Sequence, residues 1–550
     1  MQLKLKHLLV SAVALLLAES SFGCTNFLVG KDASADGSVM ITYAADDYGM
    51  YGSLWHFAAG KHSSNEMREV RCWDTNEYLG KIPEAPVTYN VVGNINENQV
   101  AIGETTFGGR EELADKDGLI DYGSLIYIAL QRSRTAREAI DVMTQLVEKY
   151  GYCSEGESFS IADKDEAWIL EMVGKGGDEK GAVWVAVRVP DDCISAHANQ
   201  SRIHKFDLKD KKNVLYSNDV IKFARKKGYF NGKDEDFDFA NAYCPADFGA
   251  LRFCEARVWS FFNRWCDGMN NYLDYASGKN PNAEPMPLFI KPKQKLSVHD
   301  LMMCMRDHYE GTPFDITKDL GAGVYEAPYR PTPLTWEYEG KQYFNERPIS
   351  TQQSAFVFVA QMRSWLPDAV GGILWFGNDD ANMVPFTPMY CCTTKSPDCF
   401  ARETANAVTF SWKSAFWVCN WVSNMVYPRY SMMFGDLEKL RDKLDSTYIA
   451  QQKGVEEKAK ALYEDNPAKA VEYLTKYSSD VSENMLEEWK NLGIFLVVKY
   501  NDQAKKPEEN GIFAKKPDGL GKKVERTGFP KNYRKYIIEQ TKDKYLVPKQ

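Results

Sequence analysis

The stretch CTNFLVGKDASADGSVMITYAADD, residues 24–47, decides how the rest of this chain is read. Thr25, Asn26, Phe27, Leu28 and Val29 read as a strand that begins directly after Cys24. Residues 31–38, with Asp36-Gly37 at the tip, supply a turn into a second apolar strand at residues 39–43, so the segment predicts a β-hairpin. Asp46 and Asp47 are expected just past it.

Upstream, Lys4, Lys6 and His7 precede an apolar run at residues 8–18, and Glu19, Ser20, Ser21, Phe22 and Gly23 lead into Cys24. This is the pattern of a secretory signal peptide over residues 1–23, with Ser21 and Gly23 as the small residues flanking a cut before Cys24. The run is too short to span a bilayer, and no later stretch reaches about 18 uninterrupted apolar residues, so stable membrane insertion is not expected. The mature chain is expected to be exported, periplasmic or extracellular and in one variant cell-surface associated, and to begin at Cys24.

A chain beginning there carries a thiol and a free α-amine on one residue. The amine, ordinarily near pKa 7.7–8.0, accepts a proton close to neutral pH, and a thiol near 8.5 needs modest help to ionise. Nucleophile and base then come from the same residue. Two other readings stay open on the residues alone. Lipid attachment would alkylate the sulfur and acylate the amine, although Ser21-Phe22-Gly23 fits a lipoprotein box poorly; or Cys24 is an ordinary structural cysteine.

The remaining composition sets outer limits. Of 550 residues, 44% are hydrophobic and 26% charged, which is ordinary globular usage. The 67 Lys and Arg against 76 Asp and Glu give a net charge of -9, which offers no field for nucleic acid phosphates. Twelve cysteines all lie at or after Cys24, none in a CxxC pair, and HExxH, GxSxG and GxxxxGK[ST] are absent. If Cys24 stays free, the odd number left means at least one more cysteine cannot pair internally. Aromatic content of 13% fits a peptide or sugar site, or simply a ring-rich core.

Farther along, hairpin-like pairs are predicted for residues 87–92 with 100–102 and for 159–162 with 168–172, followed by a strand at 182–189. A helix is predicted after Thr135, where Thr135 and Glu138 form a capping box, Ile140, Met143 and Val147 an apolar stripe, and Gly151 the stop. This is an α+β layout. A helix from near Ser297 is expected to carry His299, Cys304, Asp307 and His308, with Cys304 and His308 spaced to share a metal, although core packing explains the pair without one. From Gly435 the pattern turns helical, with Leu437, Leu440 and Leu444 on one face. Residues 501–550 carry 13 Lys and Arg against 7 Asp and Glu, a basic end. The expected organisation is thus a signal peptide at 1–23, a catalytic domain at 24–435, a helical extension at 436–500 and a basic tail at 501–550.

The run CTNFLVGKDASADGS, residues 24–38, resembles the opening of the dipeptidase family of N-terminal-nucleophile (Ntn) cysteine hydrolases, relatives of the secernins and, more distantly, of penicillin V acylases and bile salt hydrolases. NENQVAIGETTFGGR from Asn96, ESFSIADKDEAWILEMVGKG from Glu157, ISAHANQSRI from Ile194, DHYEGTPFD from Asp307 and GGILWFGNDD from Gly371 agree in order, so the similarity spans residues 24–435.

The resemblance implies a four-layer αββα sandwich and hydrolysis of dipeptides through Cys24, with no cofactor and no metal. It makes Asn199 the side-chain amide that stabilises the oxyanion, and Asp46 the acid that orients the α-amine, with Asp47 as fallback. Arg202 either orders the loop after Asn199 or meets a substrate carboxylate. Glu104 and Thr105 are implied to line the substrate pocket. His197 as a thiol-protease base is unneeded where an α-amine is available. Where relatives carry an Arg a few residues before the acid, this chain has Tyr43 and Ala44, which puts any role of that Arg in doubt. Small peptides are the expected partners, and a homo-oligomer is left open. The rival readings are an amidase of the same superfamily acting on N-acyl amino acids or penicillin-type amides, and a lipid-anchored glycan- or peptide-binding protein.

Overall fold

In the computed structural model, residues 25–46 form the predicted hairpin, with Leu28 opposite Ile41 and Val29 opposite Met40. The structure describes residues 23–177, 179–280 and 283–549, so the signal segment expected at 1–23 lies outside the described residues except for Gly23. The second strand, Val39–Asp46, is longer than the sequence suggests. Its last residues pair with Ser354–Met362, Ala44 opposite Val357 and Asp46 opposite Ser354, so Asp46 ends the strand rather than following it.

Two antiparallel sheets result. The first runs, in spatial order, Ile194–His197, Asn26–Val29, Val39–Asp46, Ser354–Met362, Ile373–Asn378 and Thr387–Tyr390. The second has eight strands and centres on Ala101–Gly108, Gly156–Ala162, Ala167–Gly174 and Ala182–Arg188. The sheets meet where the first hairpin lies against Ala101–Gly108 and Gly156–Ala162. Side chains alternate accordingly. Ala101, Ile169, Val183 and Val185 share a core with Phe27, Leu28 and Met40. Ile102, Phe159, Ile161 and Leu170 share another with Leu125, Ile140 and Met143 of the helices Tyr122–Arg132 and Ala136–Tyr150.

The helix Ala136–Tyr150 follows the predicted signals with one displacement. Thr135 accepts from Glu138 N at 3.2 Å, but the Glu138 carboxylate takes Arg134 N at 2.7 Å instead of closing the box on Thr135. Gly151 ends the helix at φ 83°, where a side chain would be strained.

Three expectations change. Residues 87–92 do not pair directly with 100–102: the chain reverses at Gly93, φ 54°, so Val91–Val92 pairs with Ile95–Asn96, which in turn meets Ala101–Gly108. The helix after Ser297 is Val298–Met305, closed at its start by a Ser297–Asp300 capping box, and it stops short of Asp307 and His308. Cys304 and His308 are therefore not one turn apart on a helix. The Cys304 sulfur instead takes the Trp265 indole N–H at 3.1 Å, and His308 Nδ1 lies 3.1 Å from Glu310.

The helical region consists of two long helices, Tyr430–Asp465 and Pro467–Tyr500, reversing at Asn466, whose side chain accepts from Ala468 N at 3.0 Å. Leu437, Leu444, Met485 and Trp489 belong to the same core as the first sheet. The helices also reach the sheet's outer strand: Tyr390 N donates to Ser478 Oγ at 3.3 Å and Phe386 N to Asp445 Oδ1 at 2.9 Å. The basic end carries short strand pairs and the helix Lys531–Thr541. Among the described residues no helix is long and apolar enough to cross a membrane.

Candidate active site

Cys24 stands at the head of the first strand, where a bridge between Thr25 and Ala44 sets it beside the end of Val39–Asp46. It is 3% exposed. Its Sγ lies 3.9 Å from the Tyr43 hydroxyl and 3.7 Å from Glu104 Oε1, and the Tyr43 hydroxyl donates to that same carboxylate oxygen. Burial, and then the Glu104 carboxylate, push the thiol well above its ordinary value, which favours its protonated form. Tyr43 thus lies beside the sulfur.

Asp46 is buried and clamped. Arg347 Nη2 lies 2.5 Å from Oδ2, and Ser354 Oγ donates to Oδ1 at 2.5 Å. Burial raises the Asp46 carboxyl, and Arg347 pulls it part of the way back. The Asp46 backbone carbonyl receives Gly23 N–H at 2.8 Å, which puts the residue beside the Gly23–Cys24 bond. Asp47 instead caps the next turn through Gly49 N at 2.6 Å.

Asn199 follows the edge strand Ile194–His197 and sits at φ 59°, in the left-handed region that Asn tolerates better than most residues. Its Nδ2 donates to Thr106 O at 2.7 Å, and its Oδ1 accepts from Arg257 Nη2 at 2.8 Å. Arg257 also reaches Cys24 O at 2.6 Å, Thr25 Oγ1 at 2.8 Å and Gly23 O at 3.2 Å. Arg347 donates to the same Gly23 oxygen. Two guanidiniums therefore converge on the carbonyl of the bond before Cys24.

The other predicted residues have protein partners. Thr105 Oγ1 and Ser160 Oγ each lie 2.7 Å from a nitrogen of His197, and burial drops that imidazole to about 3, which keeps it neutral. Both ring nitrogens being engaged, His197 supports the strands rather than serving as a base. Arg202 pairs with Glu255 at 3.0 Å and donates to the Ala196 and Pro287 carbonyls. Glu104 touches the Cys24 sulfur, as above.

Sequence reasoning missed Arg257, Arg347 and Glu157. Arg257 is 233 residues from Cys24 and Arg347 is 301 from Asp46, and no local pattern marks a buried arginine at such a distance. Glu157 lies opposite Thr106 across the sheet, and Thr106 Oγ1 donates to its Oε1 at 2.7 Å. Alternation along the strand could have put it on the Thr106 face, but not beside Glu104, whose carboxylate raises it.

Tyr43 and Glu104 lie against the Cys24 sulfur, while Asp46, Asn199, Arg257 and Arg347 gather about the backbone on either side of it. Residues 23–443 match the model of peptidase family C69, and the chain belongs to that family, a dipeptidase family of Ntn-type cysteine peptidases; it is a cysteine-type dipeptidase. Relatives agree along most of their length. A probable dipeptidase of Latilactobacillus sakei is 26% identical over 481 residues, covering 84% of this chain and 91% of that protein. A probable dipeptidase of Salmonella dublin is 27% identical over 407 residues, 70% and 85%. Dipeptidase A of Lactobacillus helveticus is 25% identical over 459 residues, 78% and 86%.

Proposed function

We propose that the chain is exported, is cut before Cys24, and hydrolyses dipeptides with Cys24 as nucleophile and the new α-amine as base, on an Ntn-type αββα sandwich. The observation that carries this reading is the set of groups around the Gly23–Cys24 bond. Asp46 receives Gly23 N–H, and Arg257 and Arg347 both hold Gly23 O. Once that bond is broken, the freed nitrogen lies among these groups. The two guanidiniums disfavour an ammonium while the Asp46 carboxylate favours and orients it, so the opposing charges leave the amine able to take and return a proton next to the sulfur.

The amine takes the Sγ proton as the sulfur attacks the scissile carbonyl carbon, and the carbonyl π electrons move onto oxygen. The Asn199 amide stabilises that oxyanion, and Arg257, tied to both Cys24 O and Asn199 Oδ1, fixes the amide relative to the nucleophile. The ammonium returns its proton to the leaving amine as the C–N bond breaks. Water, deprotonated by the same amine, then opens the thioester and releases the first amino acid.

The test is N-terminal sequencing and intact mass of exported protein, together with dipeptide turnover. A chain starting at unmodified Cys24 that cleaves dipeptides supports the reading. A blocked or lipid-modified Cys24, or a different first residue, overturns it.

A further inference from the structure

The basic end of the chain is not used by the reaction proposed for Cys24. Residues 501–550 hold 13 of the 67 Lys and Arg but only 7 of the 76 Asp and Glu, so positive charge gathers at one end of a chain whose net charge is -9. Little of it is neutralised. Lys522 pairs with Glu509 and Lys535 with Glu539, but among the described residues no carboxylate pairs with Lys515, Lys516, Lys523, Lys531 or Arg534.

Apolar side chains stand out among these cations. The strands Glu508–Glu509 and Ile512–Phe513 reverse through Asn510 and Gly511, at φ 55° and 77°, and Ile512 beside that turn is 70% exposed. In a second turn Gly519 N donates to Lys516 O at 2.9 Å and Lys516 N to Leu520 O at 2.7 Å. Leu520 in this turn is 63% exposed, with Lys515 and Lys516 before it and Lys522 and Lys523 after it. Lys522 N donates to Ala514 O at 3.0 Å, which ties the second turn to the first hairpin. Farther on, the helix Lys531–Thr541 buries none of its residues. Its spacing puts Tyr533, Tyr536 and Ile537 on one face and Lys531, Arg534 and Lys535 on the other. The rings of Phe529, Tyr533 and Tyr536 form a row, with centroids 5.9 and 6.2 Å apart.

From this pattern we infer that residues 505–549 dock the protein on the surface of an anionic lipid bilayer, lying on it without crossing it. Charge selects an anionic partner, and the apolar tips select among anionic partners. A soluble polyanion meets the lysines but leaves Ile512 and Leu520 in water. A protein interface places few lysines in its core. A bilayer with anionic lipid meets both needs: its headgroups face the cations, while aliphatic and aromatic side chains enter the boundary beneath them. At 11 residues the helix is about half the length that a crossing needs. The inference stands apart from the dipeptidase reading, and either one can fail without the other.

Co-sedimentation of the full processed chain with lipid vesicles tests it. Vesicles of equal parts phosphatidylglycerol and phosphatidylcholine should carry the protein down, and vesicles of phosphatidylcholine alone should not. Raising salt from about 0.1 M to about 0.5 M should release it. Each basic residue near such a surface is worth about fivefold in binding, so changing Lys515, Lys516, Lys523 and Lys531 together to Gln should weaken it by about a hundredfold or more. Ile512→Ser with Leu520→Ser should weaken it by about tenfold or more with the salt dependence kept. Dipeptide turnover should be unchanged in both variants, which shows that they are folded. Equal binding to both vesicle types, or no binding to either, overturns the inference. So does full binding by the Ile512/Leu520 variant, which would make the segment a charge-only patch for soluble polyanions. Self-association that disappears in the lysine variant, without vesicle binding, would assign the segment to a second copy instead. If the variants do not fold, the wild-type comparison of the two vesicle types decides.

Discussion

Arg347 holds Asp46 in a buried ion pair, Nη2 to Oδ2 at 2.5 Å, with the two side chains at 7% and 0% exposure. Removing one partner leaves the other as an uncompensated charge in the interior, which is the costly way to break such a pair. Arg347→Ala is expected to destabilise the fold by about 3–5 kcal/mol. Arg347→Ala combined with Asp46→Asn should cost less than Arg347→Ala alone. Denaturant unfolding of the two variants checks this, and equal losses would count against the pairing.

Cys24→Ala should lower dipeptide turnover by about a thousandfold or more while leaving the melting temperature within a few degrees of wild type. Only one sulfur atom is lost from the packing, so near-UV circular dichroism should be unchanged. Full activity in this variant would move the chemistry elsewhere.

Asn199 combines a left-handed backbone with a side-chain amide, and two substitutions separate them. Asn199→Gly keeps the conformation and loses the amide, whereas Asn199→Ala loses both, at an additional cost of about 1–2 kcal/mol in backbone strain. Both should lower kcat by about 10²- to 10³-fold with little change in KM. If Asn199→Gly keeps normal turnover, the amide does not stabilise the oxyanion.

His197 is lowered from 6.5 to about 3, so the folded protein disfavours its charged form. Its contribution is fully present above the unfolded value near 6.5 and is lost as pH falls towards 3, with a slope of up to about 1.4 kcal/mol per pH unit. Glu104 and Glu157 act in the other direction: their folded values are raised, so their contribution is lost as pH rises. Comparing wild type with His197→Gln isolates the imidazole. The variant's stability should fall less steeply between pH 6.5 and 4, and parallel curves would refute the assignment.

The parts of this molecule that were legible in its sequence are those set by neighbouring residues. The hairpin after Cys24 was readable because Asp36-Gly37 sits between two apolar runs, and the helix Ala136–Tyr150 because Thr135 and Gly151 bracket one apolar stripe. Errors arose where a chain reversal or a strand end depended on tertiary pairing. Gly93 breaks what reads as one strand, and Asp46 remains in its strand because Ser354 lies opposite it. In the site, Cys24, Asp46 and Asn199 stand in recognisable motifs. Arg257 and Arg347 do not, and Glu157, although it lies in the segment ESFSIADKDEAWILEMVGKG, is not marked out within it, since each meets its partners across a distance that only the fold closes.

The helix pair Tyr430–Asp465 and Pro467–Tyr500 does more than add core. Ser478 accepts from Tyr390 N in the last strand of the first sheet, Thr387–Tyr390, Asp445 accepts from Phe386 N just before it, and on the other margin Ile194 exchanges backbone hydrogen bonds with Ile290. Backbone groups at each margin of that sheet thus find partners within the chain instead of being left for a strand of a neighbouring molecule, one way in which a sheet blunts its edges.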